Sequence, residues 1–453
     1  MPLIETDVPQ FPTPAVYPKA DAAEFEDRLV RTRSAMARAG LTHLVVYGDR
    51  EHSANLAWLT GFDPRFEEAL LILRLGSTPL VVVGTECESY LPISPLFRAG
   101  RLRSERFEPF SLLGISRDNS RALEDILRDE AVEAESRVGC VGWKYYSAGE
   151  HLDIPSFLAD TVRGIARHVV NATAIFQHPG TGLRTFCSAT EIAAFEYTNI
   201  VASNGMRSLI AAIAPGMTDY ALAEHMGFNG LPHSCHWTVK TGPKRISLAS
   251  ASGNVVERGQ PLSANIGLAG ANCCRCAWVA VGEGEGGAPA GYVEQFVEPY
   301  VAAMGEWFAR FRLGAIGGET DSRMRELLPA DVFHVKLNPG HLIHLDEWVS
   351  TPFYPRSEIE LHSGMAIQSD VIPSHPVFVS TRMEDTFVLA DADLRGELER
   401  LYPDCLARCI ARRDFMRSVL GFQVADEVLP LSNLPGVIQP YLLAPEKVVA
   451  LPK

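Results

Sequence analysis

Two hydrophobic rhythms alternate along the chain. Apolar residues from Ala23 to Gly40 recur at helical spacing and stop at a glycine, which predicts an amphipathic helix. Thr42–Asp49 (THLVVYGD) is short, β-branched and followed by turn residues, which predicts a buried strand. Glu68–Leu75 (EALLILRL) and Pro79–Gly84 (PLVVVG) predict two more strands around the turn Gly76-Ser77-Thr78, and Arg137–Trp143 (RVGCVGW) a further one. Strands alternating with helical stretches indicate an α/β domain, expected over residues 1–178, with a Pro-rich extended start.

The pattern changes after the turn-rich segment Gln177–Arg184 (QHPGTGLR). Ser188-Ala189-Thr190-Glu191 is a capping box that opens a long helix, which Pro215-Gly216 ends. A second helix begins near Thr218, and Trp237–Val281 reads as strands and turns. Val293–Arg312 and Asp393–Val419 predict two more helices. The tail Gly421–Lys453 is too apolar for a free linker and is expected to pack on the body. Residues 179–453 are therefore expected to form a second, α+β domain.

Composition narrows the classes. A chain of 453 residues exceeds one ordinary core, so more than one domain is expected. The net charge of -14 repels phosphate backbones and argues against nucleic-acid binding. No apolar run approaches the roughly 18 residues of a membrane-spanning helix, and the start has no apolar core of a secretory signal. The 9 cysteines are an odd set, mostly scattered, and suggest reduced thiols in a cytoplasmic protein.

The order of segments after Ser188 carries a resemblance. SATEIAAFEYTNIVASNGMRSLIAAIAPGMTDYALAEHM resembles the first two helices of the pita-bread domain of the creatinase, Xaa-Pro aminopeptidase and prolidase family. GQPLSANIGLAGANCCRCAWVAVGEG stands where that family has a two-aspartate hairpin. NPGHLIHLDEW resembles its GHGIG histidine segment, SGMAIQSDVIP its GMVFTIEPG segment, and TRMEDTFVL its RxEDTVLV strand. In the N-terminal domain, Ser53–Phe62 (SANLAWLTGF) is similar to NxxYLTGF. The resemblance implies an α/β N-terminal domain followed by an antiparallel sheet backed by helices, and a homodimer.

Peptidases of this family hold two divalent metals with two aspartates eleven residues apart, a histidine and two glutamates. Carried over, these positions fall on Asn265, Cys276, His341, Asp370 and Glu384. Asn265 is neutral, and Cys276 replaces a hard carboxylate with a soft thiol, so the usual dinuclear site is not expected. The family's substrate-side histidine falls near Ala249 and is missing, and Trp348 replaces another histidine. Creatinase, a metal-free member, has an asparagine at the position of Asn265. Its catalytic histidine has no match here, however, and Trp278 stands where it has a binding glutamate.

The remaining signals are local. Strand alternation puts Cys274 and Cys276 on one face, as a soft-metal or redox pair or as small buried hydrophobes. Cys276 paired with His341 is a possible nucleophile. His233 and His236 are spaced to line a pocket mouth or to pack. His341 and His344 can share a face of one turn, with Asp346 or Glu347 orienting them. Arg65 either clamps a substrate carboxylate or pairs locally with Asp63, Glu67 or Glu68. Gly282–Gly287 reads as a hairpin loop.

These residues support a hydrolase of an amide or other C–N bond in a small molecule or short peptide. His341 is the best candidate base, with Asp370 and Glu384 expected to orient it or to bind a cationic group. Asn265, Cys276, His344, His236 and Arg65 are the substrate-contact candidates. No metal is favoured. A single zinc or other divalent ion on Cys276, His341, Asp370 and Glu384 defines a mononuclear metallohydrolase as the first alternative, and a non-catalytic binding module is the second.

Overall fold

A computed structural model describes residues 1–114, 116–118, 120–146, 149–242 and 249–452. The chain divides into two compact units, Ala20–Thr185 and Met1–Lys19 with Phe186–Lys453. The division lies seven residues beyond the expected 178/179, because Gln177 and Arg184 are anchored to the first unit. Gln177 Nε2 donates to Trp143 O at 2.6 Å and Arg184 Nη1 to Asn55 Oδ1 at 2.7 Å. Residues 1–19, expected in the first domain, belong with the other unit. Leu3–Glu5 pairs antiparallel with Lys447–Val449, and the Met1 amine lies 2.7 Å from Glu298.

The Ala20–Thr185 unit is a six-stranded mixed sheet flanked by helices. Its centre is His43–Gly48, antiparallel to Ala69–Arg74 and parallel to Arg137–Val141. Every residue of His43–Gly48 is buried, which explains the apolar run Leu44–Tyr47 within it. The helix Ala22–Arg38 starts at an Asp21 cap, whose side chain accepts from Glu24 N.

The other unit carries two four-stranded sheets. One runs in the order Arg382–Glu384, Ala271–Trp278, Pro261–Leu268, Thr238–Thr241, and its paired strands are antiparallel. The second runs His341–Leu342, Ala366–Gln368, Thr386–Leu389, Val428–Pro430, again antiparallel. The chain passes from one sheet to the other at Asp385. The capping box forms as expected: Ser188 accepts from Glu191 N and opens the helix Ala189–Ala212. The helix expected over Asp393–Val419 is two, Ala392–Leu401 and Pro403–Ser418, since Pro403 cannot donate within a continuous helix. Val293–Val297 is a π-helical turn leading into Glu298–Arg310.

The core of this unit stacks Trp307 on Phe311 at 4.9 Å, with Phe308, Phe387 and Phe422 packed around them. The tail is tied inward by a buried ion pair. Arg275 Nη2 lies 2.9 Å from Asp385 Oδ2 and donates to Leu434 O at 2.6 Å, while Asp385 accepts from Gly436 N at 3.2 Å. No helix among the described residues is long and apolar enough to cross a membrane.

Candidate active site

Strand register builds the site's floor. Ala269-Gly270 closes a tight hairpin, and the left-handed Gly270 (φ 76°) packs so closely on Phe195 that a Cβ would lie 1.9 Å from its ring. The short turn sets Asn265 opposite Cys274, which is opposite Glu384. The next row is Ser263, Cys276 and Arg382. Cross-strand neighbours share a face, so Asn265, Asn272, Cys274, Cys276, Arg382 and Glu384 all project to one side.

The second sheet supplies the wall. His341 pairs with Gln368, whose Nε2 donates to Asn272 O at 2.5 Å, joining the sheets. Gly340 enters this strand at φ 137°, where a Cβ would lie 2.8 Å from Gln368 O. Trp307 Nε1 holds the preceding turn by donating to Pro339 O at 2.6 Å. Trp348 stacks on the His341 ring at 4.1 Å and 23°.

The polar groups form a connected chain. His341 Nδ1 faces Leu342 O at 3.2 Å, which directs Nε2 to Glu347 Oε1 at 3.3 Å and Asp370 Oδ2 at 3.9 Å. Asn272 Nδ2 donates to both Glu347 Oε1 and Glu384 Oε2, each at 3.1 Å. Arg382 Nη1 lies 3.5 Å from Glu384 Oε1, and its Nη2 reaches Ser263 Oγ at 3.2 Å and Cys274 Sγ at 3.6 Å. Cys274 Sγ donates to Asn265 Oδ1 at 3.2 Å, and Asn265 Nδ2 faces Cys235 Sγ and His236 O, both at 3.4 Å. Asn272 Oδ1 and Asp370 Oδ1 are buried and lack a hydrogen-bond partner among the described residues. Buried oxygens in that state mark where a ligand can bind.

The environment separates the protonation states. Burial opposes charging His341, but Glu347 overrides it through charge and hydrogen bonding, with Asp370 adding to it, and the imidazole rises to about 8. Burial and then the charge of Glu384 push Asp370 well above the carboxylate range. Burial acts to raise Glu347 as well, yet His341, Asn272 and Arg382 hold it below its usual value. The surroundings thus favour the protonated form of Asp370, while His341 and Glu347 favour each other's charged forms. Burial, then the charge of Glu384, raises the Cys274 thiol well above its usual value.

The structure sorts the expected residues. It brings His341, Asp370, Glu384 and Asn265 into one cluster. Cys276 is displaced one row: the ungapped count of eleven residues pairs it with Asn265, whereas the tight turn gives that place to Cys274 and sets Cys276 against Ser263 and Arg382. Burial pushes its thiol up to about 11. His344 turns away from His341, placing Nε2 3.1 Å from Glu191 and its ring edge-on to Phe195. His236 contributes its carbonyl rather than its exposed ring, while His233 stacks on Trp237 at 4.9 Å. Arg65 belongs to the other unit, where it lies 3.4 Å from Asp63 and over the Tyr90 ring at 4.9 Å. Beside Ala249, residues 243–248 lie outside the described residues.

Asn272 and Cys235 escaped the sequence reading. Alternation from Cys274 was the available signal for Asn272. Nothing in the sequence marked Cys235, which reaches Asn265 from the loop before Thr238–Thr241.

A paired-metal centre does not fit these donors. A neutral amide occupies the first position, a buried thiol faces it, and the Arg382 guanidinium already lies against Glu384. Cys276, His341, Asp370 and Glu384 do not converge either. Among the described residues, the group of three or more His, Cys, Asp or Glu donors lying within 4.8 Å of one another is Cys187, Glu191 and His344.

The Phe186–Lys453 unit is a pita-bread domain, and Ala20–Thr185 is the α/β domain before it. No family model matches the chain, and no curated protein matches it by sequence. Solved structures do. The prolidase from Pyrococcus horikoshii OT3 is 15% identical at a TM-score of 0.63, covering 80% of this chain and 95% of that one. The dipeptidase PepE from Mycobacterium ulcerans is 19% identical at 0.62, covering 82% and 95%. The Xaa-Pro dipeptidase from Bacillus anthracis is 14% identical at 0.62, covering 82% and 96%. These structures share the architecture of both units.

Proposed function

We propose that this protein hydrolyses an amide or other C–N bond in a small molecule or short peptide, without a paired metal centre. The observation that carries the reading is one buried cluster in which His341 Nε2 lies 3.3 Å from Glu347 and 3.9 Å from Asp370, with burial raising Asp370 while His341, Asn272 and Arg382 lower Glu347. The similar structures, a prolidase and a dipeptidase, support the same reaction class.

The roles follow from the atoms. With Nδ1–H donated to Leu342 O, neutral His341 offers Nε2 as base to a water. The water oxygen attacks the carbonyl carbon, and its proton passes to Nε2, where Glu347 stabilises the imidazolium. The tetrahedral intermediate then collapses as the Asp370 carboxyl gives its proton to the leaving nitrogen. Arg382 fixes Glu384, whose second oxygen positions Asn272. Cys274 and Asn265 line the floor. The reading includes a homodimer, measurable by light scattering.

Chelator-treated protein should turn over members of a panel of Xaa-Pro dipeptides, other dipeptides and small ureido or guanidino compounds. Asp370→Asn and His341→Gln should each lower kcat by about 100-fold or more. Turnover that requires added divalent metal would defeat the metal-free reading. Absence of turnover across the panel would favour the binding module.

A further inference from the structure

Cys187, Glu191 and His344 form a second cluster of chemistry-bearing side chains, with neighbours distinct from those of His341. All three are buried, at 5%, 7% and 1% exposure, and their donor atoms lie within 4.8 Å of one another. Backbone contacts fix each one. Cys187 N donates to Gly364 O at 2.8 Å. Glu191 Oε2 accepts from Ser188 N at 2.9 Å in the capping box, which leaves Oε1 3.1 Å from His344 Nε2. His344 N donates to Asp346 O at 3.0 Å, and His344 O accepts from Gly270 N at 2.5 Å. The imidazole is further held edge-on by Phe195, with centroids 5.0 Å apart.

We propose that this triad binds one zinc ion. A thiolate, an imidazole and a carboxylate are the three donor types that zinc accepts together, whereas magnesium and calcium select oxygen alone. Ligands about 2.0–2.3 Å from a tetrahedral centre stand roughly 3.3–3.8 Å apart. A set already inside 4.8 Å, with one pair at 3.1 Å, therefore closes on an ion through small side-chain adjustments. Binding releases the Cys187 thiol proton to solvent, along with any proton shared by Glu191 and His344, and leaves the fourth position to water. The ion cross-links the first helix of the pita-bread unit to the turn between the His341 strand and Glu347, His341 and Glu347 each standing three residues from His344. The zinc holds that turn and takes no part in hydrolysis, so the site stands independently of the proposed reaction.

Cobalt titration of the full-length, chelator-stripped protein tests this. Wild type should take up one Co²⁺ per chain with a near-ultraviolet thiolate-to-cobalt band, and zinc should displace it. Cys187→Ser should abolish the band, and Cys187→Ser and His344→Gln should each weaken zinc binding by more than about 100-fold, beyond the effect of losing an outer partner. Glu384→Gln should bind zinc as wild type does. A wild type without the thiolate band overturns the proposal whether or not the variants fold. So does a band that survives Cys187→Ser and disappears in Glu384→Gln.

Discussion

Arg382 and Glu384 stand two residues apart on one strand and face the same side, with guanidinium Nη1 3.5 Å from carboxylate Oε1 in the interior. Both are buried, at 7% and 3% exposure. Removing one buried partner leaves an uncompensated charge, at a cost of about 3–5 kcal/mol. Arg382→Met should destabilise the fold by that order in urea denaturation. The double variant with Glu384→Gln should recover a large part of the loss. Additive losses in the double-mutant cycle would show that the two side chains are uncoupled.

The His341 imidazole gives stability a pH signature. Its folded value of about 8 lies above the ordinary 6.5, so its extra stability is fully present below pH 6.5 and is lost as pH rises through 8. The difference corresponds to about 2 kcal/mol. Wild-type protein should lose that amount relative to His341→Gln between pH 6 and pH 9 in parallel denaturation series. A constant difference across that range contradicts the assignment. If His341 is the catalytic base, kcat/KM rises over the same interval.

Glu347 is the partner that raises the imidazole. Glu347→Gln removes a charge and leaves burial, which opposes protonation, in place. The His341 Cε1–H resonance should then titrate at lower pH than in wild type. The rising limb of the activity profile should move with it. A resonance that titrates unchanged would assign the shift to another group.

Arg275 and Asp385 lock the tail on the face opposite the site. Arg275→Met leaves Asp385 buried at 0% exposure without its cation. The expected loss is about 3–5 kcal/mol, with faster proteolysis within residues 421–452. Wild-type stability with a protease-resistant tail would remove this pair as the anchor.

Much of the architecture is local in origin and legible along the chain. Short apolar runs such as Leu44–Tyr47 predict buried strands because both sheet faces are covered. The Ser188–Glu191 box marks a helix start because its two hydrogen bonds close within four residues. Segment order alone placed His341, Asp370 and Glu384 in one domain, and tertiary structure then joined them.

What the chain did not disclose depends on register and on distant contacts. Counting eleven residues selects Cys276, but a tight turn at Ala269-Gly270 moves Cys274 opposite Asn265. Helical spacing suggests that His341 and His344 share a face. In the fold, a strand carries His341 toward Glu347 while the following turn sends His344 to Glu191, 153 residues earlier. The amino-acid sequence thus determined which side chains are available and the order of the elements that carry them. Only the tertiary structure decided which of them meet, since hydrogen-bond register and packing between remote segments have no local signature.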